Sequence, residues 1–137
     1  MSKQFYQTAV LLLALCWLAG CAGGPEEGIY TGAIGKKDQI VLTINPDGSA
    51  RLEGYWQESL TGTHERGSLK GQNMDALVFE GPESKKFKLR FLYEEDDNGL
   101  IIQAIHSRNY GPGARYVPTE KDEVFSPPPR LTKVSSN

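Results

Sequence analysis

The sequence predicts an all-β domain, a small antiparallel meander barrel of about eight short strands, standing behind an apolar leader. Three observations carry this. From Gly28 onward, apolar and polar residues alternate with period two, the pattern of strands buried on one face and wet on the other. Clusters of Gly, Pro, Asn and Asp interrupt that alternation about every 8–12 residues, as in barrels and sandwiches. No stretch beyond residue 28 keeps a helical period over ten residues.

The leader has three zones. Met1 to Thr8 is polar and carries Lys3, Ala9 to Ala19 is wholly apolar, and small residues then lead into Cys21. A spanning helix needs about 20 apolar residues, so this run suits the core of a signal peptide, residues 1–20. The tetrapeptide Leu18-Ala19-Gly20-Cys21 resembles the lipobox of bacterial lipoproteins. That resemblance implies cleavage before Cys21, a diacylglyceryl thioether on its sulfur and an acyl chain on the new amino terminus. Two or more chains hold a protein durably on a membrane. Ala22 stands where an Asp resembles the inner-membrane retention signal of enterobacterial lipoproteins. The implied location is the cell envelope, at the outer membrane and facing the periplasm.

Loss of residues 1–20 leaves 117 of 137 residues, enough for one domain at 28–137. The formal charge of −2 becomes −3 when Lys3 leaves, which gives no electrostatic case for nucleic acid. Cys16 departs with the leader and Cys21 is consumed by lipid. The domain therefore has no disulfide, no thiol nucleophile and no cysteine metal site. "CAGGPEE", residues 21–27, reads as an unpacked tether with a mean span of ~15 Å.

The strands follow in order. "DQIVLTIN" sets Ile40, Leu42 and Ile44 on one face, and "NPDG" turns the chain, with Pro46 presetting φ and Gly48 free to take positive φ. "SARLEGYW" is expected to place Ala50, Leu52, Gly54 and Trp56 inward and Tyr55 outward. "GTHERGSLKG" and "MDALVFEG" form a weaker pair. "KKFKLRFLYEE" is the clearest strand, alternating Phe87, Leu89, Phe91 and Tyr93 with Lys86, Lys88, Arg90 and Leu92. Asn98-Gly99 signals the next hairpin, and "LIIQAIHS" is its partner. "ARYV" and "DEVF" read as short strands. "SPPPR" favours polyproline II and reads as a connector across the barrel end. Lys86, Lys88 and Arg90 on the wet face argue against a barrel that spans the outer membrane.

The segments "GIYTGAIG", "LTINPDG" and "GSLKGQNMDALVFEG", within residues 28–81, resemble the amino-terminal barrel of the copper-resistance, envelope-stress lipoproteins. The resemblance implies a barrel in the envelope. Where that family carries Cys-x-x-Cys this chain has "IGKKDQ", so the metal and redox chemistry does not carry over.

Candidate chemistry is sparse. His64 and His106 are the only histidines and have no short-range ligand spacing. The acids Glu94 to Asp97 lack the alternation of a calcium loop and read as a solvated hairpin tip. Ser59, Ser68, Ser84 and Ser107 lack a nucleophile elbow. Glu58 and Glu65 are a candidate carboxylate pair across a hairpin, of the kind glycosidases need, though polar strand faces always contain such residues. "NYGPGARYV" is the most distinctive loop, with Tyr110, Gly111, Gly113, Arg115 and Tyr116 combining backbone freedom with interface-type side chains. It resembles the "S-G-x-x-Y" loop of envelope lysozyme inhibitors, with Gly113 and Tyr116 in frame and Pro112 in place of the serine. The functional expectation is a non-catalytic envelope lipoprotein without cofactor or metal. It binds a small periplasmic ligand or a protein partner. The alternative is an inhibitor or stress-sensing module acting through Tyr110–Tyr116.

Overall fold

The computed structural model describes residues 23–81, 87–109 and 119–135. The leader, Leu18, Ala19, Gly20 and Cys21, and the loop from Tyr110 to Tyr116, lie outside the described residues.

Nine strands follow one another: β1 (Gly28–Ile34), β2 (Lys37–Ile44), β3 (Ala50–Glu53), β4 (Leu60–Leu69), β5 (Gln72–Glu80), β6 (Phe87–Asp96), β7 (Gly99–Asn109), β8 (Thr119–Val124) and β9 (Arg130–Ser135). All pairings are antiparallel, and β1 to β7 form a continuous meander. The sheet then closes on itself, because β9 pairs with both β7 and β1. Eight strands make the barrel and β8 is an extra strand on the upper half of β7. The all-β meander barrel expected from the alternation is thus the observed architecture.

The interior is one apolar cluster. Ile40, Leu42 and Ile44 of β2, Ala50 and Leu52 of β3, Leu77 and Phe79 of β5, and Leu89, Phe91 and Tyr93 of β6 all point into it. Tyr30, Phe79, Phe91 and Tyr93 are its largest buried side chains. Side chains fill the space between the walls, as in barrels of this strand number. A smaller cluster of Ala76, Leu92 and Ala104 lies on the outer face. So Leu92, expected on the wet side of β6, is buried there.

The chain departs from simple alternation at three places. After β3, Gly54 adopts φ 86°, and a Cβ built there would lie 2.1 Å from the Gln39 carbonyl oxygen. That kink reverses the expected phase. Tyr55 turns inward and packs edge-on against Phe91 at 5.6 Å, while Trp56 is left 38% exposed. In the hairpin after β6 the central residues are Asp97 and Asn98, one position earlier than the Asn98-Gly99 expected. Asp96 sets this register, since its Oδ1 accepts the backbone N–H groups of Asn98 and Gly99 at 2.9 and 3.1 Å.

The third departure is the closing strand. "RLTKVS" buries Leu131 fully and exposes Val134, so it lacks a repeating apolar face. Its place is fixed by close approach. A Cβ on Gly32 would fall 2.5 Å from the Arg130 oxygen, and one on Gly99 would fall 2.0 Å from the Leu131 oxygen. β9 is wedged between the two glycines. The "SPPPR" stretch does not cross the barrel end. It runs beside β7, where Phe125 donates to the Gln103 carbonyl at 3.1 Å and Ile102 donates to that of Pro129 at 2.9 Å. The strand line is therefore β8, a proline-rich interruption, then β9.

Candidate functional site

The up-and-down course gives the barrel two unlike ends. Residues Gly23–Glu27 and the turns at Asn45–Ser49, Lys70–Gly71 and Asp97–Asn98 gather at one, here the proximal end. The Gly35–Lys36 turn and the Gly54–Ser59 loop lie at the other, the distal end. Asn109 and Thr119, which flank the Tyr110–Tyr116 segment, pair with each other at that distal end.

At the proximal end the supposed tether is held down. Pro25 is buried and Gly24 lies against His64, 3.5 Å from an ideal Cβ to the histidine Cβ. The Glu26 N–H donates to Glu95 Oε2 at 2.8 Å, its carbonyl accepts the Tyr30 hydroxyl at 2.5 Å, and its carboxylate pairs with Lys133 at 3.1 Å. The expectation that Gly24 and Pro25 do not pack is corrected by these contacts, while Gly23 is exposed as expected. Glycine removes side-chain bulk but leaves backbone groups that still need partners. Tyr30 is pushed up to about 12 by burial and by the Glu95 and Glu26 carboxylates.

Beside this clamp, His64 Nε2 and Arg66 Nη1 meet the same oxygen, Asp75 Oδ1, at 3.0 and 2.7 Å. Burial pushes the Asp75 carboxyl up, but the His64 and Arg66 hydrogen bonds outweigh it and hold the group below the usual range. Tyr93, packed next to them and only 2% exposed, carries a hydroxyl with no hydrogen-bond partner among the described residues. Burial, reinforced by the Asp75 and Glu95 charges, drives its phenol well above the ordinary value.

The sequence candidates separate in space. His64 faces the interior side of β4, opposite Leu77, whereas His106 lies on the outer wall of β7 against Asp122 of β8. They are not brought together. Glu65 faces outward to Arg90 Nη2 at 3.2 Å, and Glu58 sits in the exposed distal loop. In the acidic turn, Asp96 is gripped by Arg130, whose Nη1 is 2.6 Å from both carboxylate oxygens. That hydrogen bond, with the Asn98 and Gly99 amides, keeps Asp96 below the usual carboxylate range. Among the described residues no group of three or more His, Cys, Asp or Glu side chains could hold a metal ion.

The distal end is aromatic. Trp56 stacks flat on Phe87, with centroids 4.4 Å apart and planes 15° apart. Tyr55 and Phe125 are partly buried and pack against the core. Burial and the Glu123 carboxylate raise the Tyr55 phenol. Sequence alternation missed this platform because it assigned Trp56 to the interior. The glycine within a strand pattern was the available signal, since such glycines mark bends and close approaches.

No protein-family model matches the chain, and no match is found among curated proteins or among solved structures.

Proposed function

We propose that this chain is a lipid-anchored protein of the bacterial envelope that docks a protein partner through its distal end, without catalysis. The observation that carries the reading is the Trp56–Phe87 stack, in which Trp56 is left 38% exposed and lies flat on the partly buried Phe87, at the end remote from the chain's entry. Aromatic side chains with low conformational entropy are the usual anchors of interfaces. The packed interior supports docking over a carrier role, because Tyr30, Phe79, Phe91 and Tyr93 occupy the space a ligand would need.

Anchoring at Cys21 and clamping at Pro25 together orient the domain. Four residue steps separate the two, at most ~14 Å of chain. The proximal end then rests at the lipid surface. β7, 11 residues long, spans about 28 Å along the axis at a barrel tilt near 40°. The aromatic end therefore projects into the periplasm. The inhibitor reading draws on this same end, where the chain enters and leaves the Tyr110–Tyr116 segment.

Site-specific photo-crosslinking in living cells tests the proposal. A crosslinker at Gln57, beside Trp56, should give a discrete protein adduct that Trp56→Ala abolishes. One at Asp47, on the proximal turn, should give none. Adducts from Asp47 alone, or Gln57 adducts indifferent to Trp56→Ala, would refute distal docking. A Cys21→Ser chain that still partitions with membranes would refute the anchor.

A further inference from the structure

On the outer wall, β6 and β7 arrange four basic side chains in a square. Lys88 stands across the ladder from Arg108, and Arg90 across from His106. All four line one depression of about 210 Å³. Like charges directly opposite each other destabilise a sheet, so the Lys88–Arg108 pair costs the fold stability. Among the described residues, acids relieve the square from the flanks. Glu65 on β4 takes Arg90, Asp122 and Glu120 on β8 take His106 and Arg108, and Glu80 on β5 is the cross-strand neighbour of Lys88. The depression itself is lined by the four basic residues. Arg90 Nε, moreover, is buried with no hydrogen-bond partner among the described residues.

We infer that this depression binds a phosphate group, held between the β6 and β7 side chains Lys88, Arg90, His106 and Arg108. Guanidinium forks match tetrahedral oxyanions through paired, charge-assisted hydrogen bonds, and the lysine ammonium adds a point charge. The volume exceeds the ~30 Å³ share of one water several-fold, so a phosphate with an attached group fits. An anion at the centre would also remove the like-charge repulsion that the flanking acids leave. A soluble phosphate ester and a lipid headgroup share this chemistry. The inference does not depend on distal docking, since the site lies on the side wall.

The test is a titration of the full chain, in nonionic phosphate-free detergent, with inorganic phosphate and with pyrophosphate, followed by ³¹P line broadening. Saturable binding is expected, weakened about tenfold by Arg90→Gln. Lys88→Gln, which breaks no ion pair among the described residues, should weaken it comparably while keeping the melting temperature. Phosphatidylglycerol added to the micelles separates the sources. Displacement of pyrophosphate identifies a headgroup site, and lack of displacement identifies a site for soluble phosphates. No saturable binding of phosphate, pyrophosphate or phosphatidylglycerol overturns the inference. So does binding that neither Lys88→Gln nor Arg90→Gln alters.

Discussion

Leu131→Ala is expected to cost more than any other change on the closing strand. β9 joins β1 to β7, and Leu131 is its only fully buried side chain among the described residues. Truncation removes about three carbons, worth ~2.4 kcal/mol at ~0.8 per buried methylene. The backbone on both sides is pinned by the close approaches at Gly32 and Gly99, so the site cannot collapse and a cavity term adds about 1 kcal/mol. The sum is about 3–4 kcal/mol. At ~4 °C per kcal/mol for a domain of this size, the melting temperature falls by about 12–16 °C. Val134→Ala, three positions along the same strand at a site 59% exposed, should stay within ~0.5 kcal/mol. Urea unfolding followed by far-ultraviolet circular dichroism measures both. If Leu131→Ala lies within 1 kcal/mol of Val134→Ala, β9 does not close the barrel and the deduction from the two glycines is wrong.

Three further outcomes are expected. Gly54→Ala combines a left-handed backbone cost of ~1–2 kcal/mol with the 2.1 Å approach to the Gln39 oxygen. It should lose at least ~3 kcal/mol in urea unfolding, and a loss below ~1 kcal/mol would show that the kink relaxes freely. Tyr93→Phe removes a buried hydroxyl that has no partner among the described residues, so it should be neutral or stabilise by about 1 kcal/mol; a clear drop in melting temperature would reveal a partner. Stability should also fade at both pH extremes. Asp75, Asp96 and Asp47 have lowered folded values, so their contribution is full above the unfolded carboxyl value near ~3.9 and vanishes as pH falls through the folded ones. Tyr30 is raised to about 12, so its contribution is full below ~10 and vanishes as pH climbs toward that value. A melting temperature flat from pH 5 down to 2 would contradict the acid limb.

What the sequence discloses and what it withholds follow from the reach of each signal. Alternation over Leu89, Phe91 and Tyr93, and over Ile40, Leu42 and Ile44, is local, and these residues form the interior as expected, with Phe87 partly buried against them. The "NPDG" turn is equally local, and Asp47 Oδ1 accepts the Ser49 N–H at 2.9 Å within it. β9 was illegible because one buried leucine makes no pattern; its position depends on Gly99 and Gly32, which stand 32 and 99 residues before Leu131 in the chain. The distal platform was hidden for a related reason. Whether Tyr55 or Trp56 faces inward depends on the φ of Gly54, and that depends on how closely β2 passes. The basic square was legible only by halves. "KLR" and "HSR" each alternate plainly, but their juxtaposition needs the β6–β7 register, which carries a bulge between Leu92 and Tyr93.

The extra strand bears on how the proposed partner would be engaged. A closed barrel has no free edge, yet β8 pairs with β7 alone and leaves its outer backbone unpaired among the described residues. Such an edge invites strand addition unless it is blunted. Here it reads Thr-Glu-Lys-Asp-Glu-Val, with Glu120, Lys121, Asp122 and Glu123 all exposed. An incoming strand would have to pass its side chains between charges of both signs, and Glu120 and Asp122 are already committed to Arg108 and His106. The edge is thereby protected, and the proline-rich interruption at 126–129 stops it from lengthening. In the docking proposed above, engagement at the distal end would then fall to side chains, with the Trp56–Phe87 stack as anchor. Deleting the aromatic faces should abolish docking, whereas blocking β8 backbone donors should leave it intact.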